Sequence, residues 1–185
     1  ERSIHAMCPP NFPTADAPQV GITILDGGMG HLLRRKGVEV TGPLGSLQRF
    51  LGVALANTQT PEIVQAAHRE YLDAGSTVIT TNSYSCVPAA LELTGDASWE
   101  FTATSITAAC EQARQARESF LADVSASGAP APSAAIHVAG CVPPLRESYR
   151  ADCVIGDEEM AESYEKIVSV LAPLCDLLLV ETMSC

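Results

Sequence analysis

The stretch ITILDGGMG, residues Ile22–Gly30, decides the fold because it joins an apolar run to an acid and a glycine turn. The β-branched and aliphatic residues over about Gly21–Leu25 predict a buried strand. Gly27 and Gly28 follow Asp26 at once and predict a tight exit, where the backbone turns sharply or approaches another group closely. Asp26 is therefore predicted at the carboxyl end of the strand, the edge at which parallel α/β folds hold their ligands.

The same order of apolar strand, polar tip and helix continues along the chain. Further strands are predicted at TVITT, AAIHVAG and DLLLVE, residues 77–81, 134–140 and 176–181. Uninterrupted apolar runs of this kind are typical of strands buried on both faces of a parallel sheet. Their tips would share one rim, and these tips are Asp26-Gly27-Gly28, Thr81-Asn82-Ser83, Gly140-Cys141 and Glu181-Thr182. An open doubly wound sheet and a (β/α)₈ barrel both fit this pattern.

Helical patterns fill the segments between the predicted strands. Apolar spacing predicts helices over 31–37, 44–56, 61–74, 87–93, 98–122 and 157–174. Thr60 and Asp157 are predicted as helix caps, and Gly75 is predicted to end a helix in the left-handed conformation. Residues 1–20 are predicted to form an irregular arm that precedes a single domain over 21–185. Within that domain, 125–133 is predicted to be a flexible connector and 141–156 a functional loop.

The composition is that of a globular, acidic chain. Its 11 Lys and Arg against 22 Asp and Glu give a net charge of −11, which argues against nucleic acid and against anionic membrane surfaces as partners. No apolar run approaches the roughly 20 residues of a membrane span, and the N-terminal residues lack the apolar core of a secretory signal. The seven cysteines form no C-x-x-C pair, so we expect reduced thiols and a cytoplasmic location.

Gly28-Met29-Gly30 invites comparison with a dinucleotide-binding turn. Leu33 stands where that motif requires its third glycine, and no acid ends the strand TVITT. The sequence also contains no phosphate-binding P-loop and no G-x-S-x-G turn for a serine nucleophile. These absences argue against a nucleotide cofactor and against serine-hydrolase chemistry.

Asp26 and Glu181 are the two acids predicted at strand tips. An acid at the end of an apolar strand must be hydrogen-bonded or must meet a cation. Each acid alone fits a capped loop or an internal salt bridge, whereas two acids on one rim favour a site for a substrate ammonium group. An enzyme that uses the two acids for acid–base chemistry without a metal is a weaker alternative.

The histidines and the cysteines near the strand tips fit packing roles better than chemistry. His68 falls in the apolar stripe of a predicted helix and His137 within a predicted strand, so both are expected in the core. His31 follows the glycine turn and could face the site. Cys86 and Cys141 lie just beyond strand tips and are expected to be small packed or semi-exposed residues rather than zinc ligands.

Four segments together resemble the homocysteine S-methyltransferase family, which includes betaine–homocysteine methyltransferase and the homocysteine domain of cobalamin-dependent methionine synthase. The segments are LDGGMG, HREYLDAGSTVITTNSY, VAGCVPP and CDLLLVET, and they occur in this order over about Ile22–Thr182. The resemblance implies a (β/α)₈ TIM-type barrel, of which this chain would supply about the first four strand–helix units. Such a barrel needs about 250 residues, so the C-terminal half would be absent from these residues.

The resemblance also implies an activity and a site. The family transfers a methyl group from a small donor to the thiol of homocysteine, giving methionine, and uses a zinc ion held by three cysteines of the second half of the barrel. No zinc ligand is therefore expected in this chain, and the 185 residues alone are expected to be inactive. The residues matching the family's substrate-binding positions are Asp26, Gly27, Gly28, Asn82, Ser83, Tyr84 and Glu181.

Two questions stay open at the level of sequence. The methyl donor could be S-methylmethionine, S-adenosylmethionine, betaine or methylcobalamin, and the oligomeric state is not indicated. A catalytically inactive barrel relative, which binds an amino acid in a regulatory or assembly role, is the alternative to an enzyme.

Overall fold

The computed structural model describes residues 23–43, 46–148 and 150–183, with six α-helices and three strands in those ranges. The predicted N-terminal arm, residues 1–20, lies outside the described residues. The helices are α1 Met29–Arg35, α2 Leu47–Gln59, α3 Pro61–Asp73, α4 Pro88–Leu91, α5 Trp99–Ser127 and α6 Asp157–Leu171. The strands are β1 Val78–Thr80, β2 His137–Val142 and β3 Leu177–Val180, and short 3₁₀ turns occupy Glu92–Thr94 and Ala151–Cys153. No helix in the described ranges is long and apolar enough to cross a membrane.

The sheet is parallel, and its strands lie in the order of the sequence, β1-β2-β3. Val78 pairs with His137 at the start of β2, and Ala139 pairs with Leu177 at the start of β3. A doubly wound sheet reverses its strand order at a switch point, whereas the described strands progress in one direction only. The described part of the sheet contains no such reversal.

The first predicted strand is reduced to a single parallel bridge between Leu25 and Val78. Ile24 and Leu25 are 53% and 48% exposed, so the prediction of a buried strand at this edge was wrong for the described residues. The chain is nevertheless held in register, because the amide of Thr77 donates to the carbonyl of Ile24 at 2.9 Å and the amide of Asp26 to that of Val78 at 3.0 Å. This register fixes the position of Asp26 relative to β1.

The core forms where α3, α5 and α6 pack together and against the strands. Ile79 of β1 and Val138 of β2 are completely buried, with Leu72 and Ala113 from the helices packed against them. In contrast, Leu177, Leu178 and Val180 of β3 are 39%, 38% and 62% exposed. β1 and β2 are largely buried, as predicted, whereas burial was wrongly predicted for β3, which lies exposed at one edge of the described sheet.

Most helix boundaries agree with the predicted signals, and two caps differ. Ser98 accepts a hydrogen bond from the amide of Phe101 at 3.2 Å, and Gly75 adopts a φ of +100° after α3. Thr60 precedes α3, but its hydroxyl donates back to the carbonyl of Ala56 instead of capping. Asp157 is the first residue of α6 rather than its cap, which places its carboxylate where the helix dipole favours negative charge.

Candidate functional site

A cavity of about 350 Å³ lies at the carboxyl ends of the strands. Its lining residues are Leu25, Asp26, Gly27, Gly28, Met29, Gly30, Phe50, Val53, Thr80, Thr81, Asn82, Tyr84, Ser85, Leu179 and Glu181. Cavities of this size accept small molecules, and those with a few convergent polar groups on apolar walls are the usual sites for them. Six of the seven predicted site residues line this cavity, and Ser83 does not.

The carboxylate of Asp26 is held by Thr80 from the neighbouring strand. Alternate amides of β1 face the first strand, and that of Thr80 donates to Asp26 Oδ2 at 2.7 Å. The hydroxyl of Thr80 donates to the other oxygen, Oδ1, at 2.8 Å. Both oxygens are therefore fixed in direction, although Asp26 lies where the chain leaves the sheet.

The surroundings of Asp26 disfavour its charge despite these hydrogen bonds. Burial raises the pKa of Asp26 from 3.8 to about 6, against the opposing hydrogen bonds from Thr80, and the nearby carboxylate of Glu181 raises it further. No lysine, arginine or histidine is among the cavity-lining residues. Neither acid takes part in an ion pair within the described ranges, so the internal salt bridge considered for each acid is not formed there. Among the residues that the structure describes, the cavity is therefore lined by two acids and by no cation.

Glu181 reaches the cavity from the end of β3. Its amide donates to the carbonyl of Val142 at 3.3 Å, which extends the β2–β3 pairing by one residue. The next residue, Thr182, has a φ of 58°. A left-handed β-branched residue is strained, by about 1–3 kcal/mol. The backbone therefore turns sharply directly after Glu181.

Asn82 lies in a buried network that joins the end of β1 to α2. Its side-chain amide donates to the carbonyl of Val53 and to Oδ1 of Asn57, each at 2.9 Å. Asn57 in turn donates to the backbone carbonyl of Asn82 at 2.9 Å and to that of Ala54 at 3.0 Å. This reciprocal amide pair positions the cavity wall.

Ser83 points away from the cavity and is used within the sheet. Its hydroxyl lies 2.8 Å from that of Thr81 and 3.2 Å from the carbonyl of Cys141, and the residue is 2% exposed. The substrate-binding role of Ser83 stays a prediction, and its observed contacts are those of a residue that ties β1 to β2.

Tyr84 contributes a half-buried phenol to the cavity. Its hydroxyl lies 2.5 Å from that of Ser148, which belongs to the loop after β2. Its ring meets that of Phe50 edge-on, with centroids 5.5 Å apart. Burial raises the pKa of Tyr84, so the hydroxyl stays protonated near neutral pH. Tyr84 thereby links the loop predicted to be functional to the rim of the cavity.

Gly27 allows a close approach, as the glycine turn predicted. A Cβ at Gly27 would lie 3.1 Å from Cε1 and 3.2 Å from the hydroxyl oxygen of Tyr71. Such contacts are tighter than most side-chain contacts, so a side chain at position 27 would require the ring of Tyr71 to move by a few tenths of an ångström. Gly28 has an extended conformation, with a φ of −63°, and precedes α1.

The remaining candidates from the sequence lie apart from the cavity. His68 is completely buried, and neither of its ring nitrogens has a described hydrogen-bond partner. Burial lowers the pKa of His68 to about 3, so this histidine is a neutral core residue. His31 and His137 are exposed and do not line the cavity. The expectation of a core position was therefore confirmed for His68 and wrong for His137.

The thiols near the strand tips are packed rather than reactive. Cys86 is 1% exposed and Cys141 is fully buried. Burial raises the pKa of Cys86 to about 12 and that of Cys141 well above its ordinary value, where Glu181 adds to the effect. Within the described ranges, no group of three or more histidine, cysteine or acidic side chains is arranged to hold a metal ion. These residues do not fit a catalytic metal centre.

Several cavity residues carry no signal in their local sequence. Thr80 meets Asp26 only because of the parallel register. Phe50 and Val53 enter from α2, which reads as an ordinary packed helix. Asn57 could have been noticed as an amide within an apolar helix, since a buried amide needs partners.

Comparison with known proteins begins with a family model. The model for homocysteine S-methyltransferase matches residues 23–185. Homocysteine S-methyltransferase 2 from Zea mays is 33% identical over 101 residues, which are 55% of this chain and 27% of that protein. Selenocysteine Se-methyltransferase from Brassica oleracea var. italica is 30% identical over 94 residues, 49% of this chain and 25% of that protein.

A solved structure shares the fold. The metallated form of the homocysteine methyltransferase MmuM from Escherichia coli superposes with a TM-score of 0.73 at 28% sequence identity. The superposition covers 88% of this chain and 54% of that chain. The chain therefore spans about half the length of this solved relative.

Proposed function

Because the chain belongs to the homocysteine S-methyltransferase family, we propose that it forms the homocysteine-binding part of an enzyme that methylates the thiol of homocysteine to give methionine. The observation that carries the proposal is the pair of carboxylates, Asp26 and Glu181, in a cavity that no described cation lines. Homocysteine brings an ammonium group, which would supply the missing positive charge.

In this proposal Asp26 and Glu181 bind the ammonium group of the substrate. Thr80 fixes both oxygens of Asp26, so the ammonium group would meet a carboxylate of set direction. Charge-assisted hydrogen bonds of this kind are about twice as strong as neutral ones. Fixing one end of a flexible amino acid would place its thiol in one region of the cavity, which lowers the entropic cost of methyl transfer.

The wider architecture belongs to the same proposal. Residues 21–185 would form the N-terminal half of a (β/α)₈ barrel, with further strands continuing from β3. The family implies a zinc ion, which keeps a bound thiol ionised. Since the described residues offer no ligand group, that ion would need ligands from elsewhere in the enzyme. The cytoplasmic location stays a prediction from the expected reduced thiols.

The test is methionine formation by the full-length protein. Homocysteine would be supplied with each of S-methylmethionine, S-adenosylmethionine, betaine and methylcobalamin. Glu181→Gln should raise KM for homocysteine by about 10- to 100-fold, since a hydrogen bond to a charged group contributes about 1.5–3 kcal/mol. Glu92→Gln, at an exposed acid that does not line the cavity, is the matched control and should leave KM unchanged.

A substrate analogue separates the ammonium contact from other effects. 4-Mercaptobutanoate has the thiol and carboxylate of homocysteine but no amino group. The wild-type protein should use it poorly, and Glu181→Gln should not weaken its use further. If Glu181→Gln lowered the use of homocysteine and of 4-mercaptobutanoate by the same factor, the proposed ammonium site would be contradicted. Binding of homocysteine without methionine formation from any donor would support the non-catalytic alternative, and turnover by the isolated 185 residues would contradict their expected inactivity.

A further inference from the structure

Two cysteines from different elements meet in the core away from the cavity. Cys110 lies in the middle of α5, and Cys175 lies in the connection between α6 and β3. Their sulfur atoms are 3.7 Å apart. Neither residue lines the cavity of the candidate site.

The packing around the two thiols keeps them together. Cys110 is completely buried, and Cys175 packs against the same cluster of core residues. Beneath them, a Cβ at Gly140 would lie 3.1 Å from the sulfur of Cys175. Gly140 of β2 therefore leaves the space that Cys175 fills. Cys110 is held by the regular helix α5, and Cys175 is held by its packing over Gly140 and against the core cluster, so the two sulfur atoms stay close.

The charges around the pair distinguish its members. Arg114 and Arg117 lie one and two turns after Cys110 on α5, and Arg117 forms an ion pair with Asp176 at 2.5 Å. The hydrogen bond with Cys110 lowers the pKa of the Cys175 thiol, aided by the two guanidinium groups and opposed by burial and by the charge of Asp176. The hydrogen bond to Cys175 and burial raise the pKa of the Cys110 thiol. Cys175 is thus the partly exposed, more acidic thiol of the two.

We propose that Cys110 and Cys175 form a reversible disulfide by exchange with a small-molecule disulfide such as oxidised glutathione. The thiolate of Cys175 attacks one sulfur of the small disulfide, forms a mixed disulfide and releases one thiolate. Cys110 then loses its proton, attacks the sulfur of Cys175 and releases the second thiolate. In sum, two protein thiols are oxidised and one small disulfide is reduced to two thiols.

The geometry of the pair suits this reaction better than that of the other described cysteines. The sulfur atoms of Cys110 and Cys175 need to approach by about 1.7 Å to reach a bonded separation of about 2.05 Å. The thiol of Cys86 contacts the amide of Asn57 and the carbonyl of Asn82. Cys153 is partly exposed, and no described thiol lies within hydrogen-bonding distance of it. Cys153 can form a mixed disulfide, but no thiol in the described ranges is placed to resolve it.

The experiment treats the folded full-length protein with oxidised glutathione and maps its cysteines by mass spectrometry after alkylation of free thiols. The wild-type protein should lose two hydrogen atoms and yield a linked pair of peptides containing Cys110 and Cys175. Dithiothreitol should restore both thiols. Cys153→Ser should give the same linked peptides, whereas Cys110→Ser should stop at a mixed disulfide on Cys175.

Controls keep the result tied to the folded state. Circular dichroism before and after reduction should show that each variant remains folded, and Cys175→Ser serves as the second variant if Cys110→Ser does not fold. The protein oxidised in guanidinium chloride should give a mixture of linkages. A stable mixed disulfide on Cys175 in the wild-type protein, linkage to another cysteine, or full alkylation of both thiols after oxidation would each overturn the proposal.

Discussion

Replacing Asp26 with asparagine should stabilise the ligand-free protein at pH 8. The pKa of Asp26 rises from 3.8 to about 6, mainly through burial. Each pKa unit corresponds to about 1.4 kcal/mol, so ionised Asp26 costs the folded state up to about 3 kcal/mol. Because Asp26 keeps some contact with water, we expect the variant to gain about 1–2 kcal/mol.

Asparagine fits the position in shape and in hydrogen bonding. Its Oδ1 can accept from the amide of Thr80, and its side-chain amide can donate to the hydroxyl of Thr80, so both contacts of Asp26 have an equivalent. The substitution therefore removes the charge and the repulsion by Glu181 while changing the packing little.

The dependence on pH gives the sign of the effect. Between pH 3.8 and about 6 the folded protein holds a proton on Asp26 that the unfolded chain has released. The wild-type protein should thus gain stability from Asp26 as pH falls through about 6, and the advantage of Asp26→Asn should shrink over the same window. Buried His68, with its pKa lowered from 6.5 to about 3, acts in the opposite direction, since only the unfolded chain binds its proton between these two values. Because both proteins contain His68, its contribution cancels in the difference between their free energies of unfolding.

Urea denaturation of both proteins between pH 4 and pH 8 measures this difference. Asp176→Asn serves as a control, because it should change the stability in the opposite direction. Burial opposes ionisation of Asp176, but the amide of Val138 and the charge of Arg117 outweigh it and lower the pKa of Asp176. Asp176→Asn should therefore destabilise the protein at pH 8. A loss of stability in Asp26→Asn at pH 8, or a difference that does not change with pH, would refute the reasoning.

Further predictions concern packing and substrate binding. Asn57→Ala should lower the free energy of unfolding by about 2–3 kcal/mol, because it leaves buried partners such as the side-chain amide of Asn82 unpaired. The control Thr58→Ala, at an exposed residue, should change it by less than about 0.5 kcal/mol. Urea denaturation measures both values. Gly52→Ala should lower the free energy of unfolding by about 1–3 kcal/mol, since the new Cβ would clash with the backbone carbonyl of Glu39. A Cβ at Gly156 would face open space, so Gly156→Ala should be nearly neutral; thermal unfolding measures both variants. Homocysteine affinity, measured by calorimetry, should fall below about pH 6 as Asp26 gains a proton; an affinity that is constant from pH 5 to pH 8 would contradict this role.

Local signals in the sequence were sufficient for most of the helices. The serine at position 98 and the glycine at position 75 act on neighbouring backbone groups, and the structure places both at the predicted helix ends. A capping bond or a left-handed residue depends on a few adjacent residues, so it is visible in the chain itself. α5 continues to Ser127, five residues past its predicted end at Ala122, since nothing between these residues prevents a helix.

The environment of the outer strands could not be predicted from their composition. Leu177–Val180 is as apolar as the central strand β2, yet most of it is exposed. An apolar run indicates that a strand can be buried. Whether the strand is buried depends on which segments lie beside it. Those neighbours are distant in sequence, and no local pattern identifies them.

In the candidate site, too, some residues could be predicted from the local sequence and others could not. Asp26, Asn82 and Glu181 were predicted because each follows an apolar strand, and they do line one cavity. Their binding roles remain predictions. Ser83 occupies an equivalent place in the sequence, but it lies in the turn after β1, where its hydroxyl bonds to Thr81 and to the carbonyl of Cys141 instead of facing the cavity. Thr80 depends on register and was missed.

The position of Asp26 combines two requirements that oppose each other. Thr80 donates both of its polar hydrogens to the carboxylate, which orients an anion, while burial and Glu181 disfavour the charge that is being oriented. A purely structural residue at this position would be served as well by asparagine, at lower cost to folding. A bound ammonium group reverses the balance, because a cation within about 4–6 Å favours the ionised carboxylate. The unfavourable charge of Asp26 is therefore what the proposed ammonium site requires, and gain of stability with loss of homocysteine binding in Asp26→Asn would link the two.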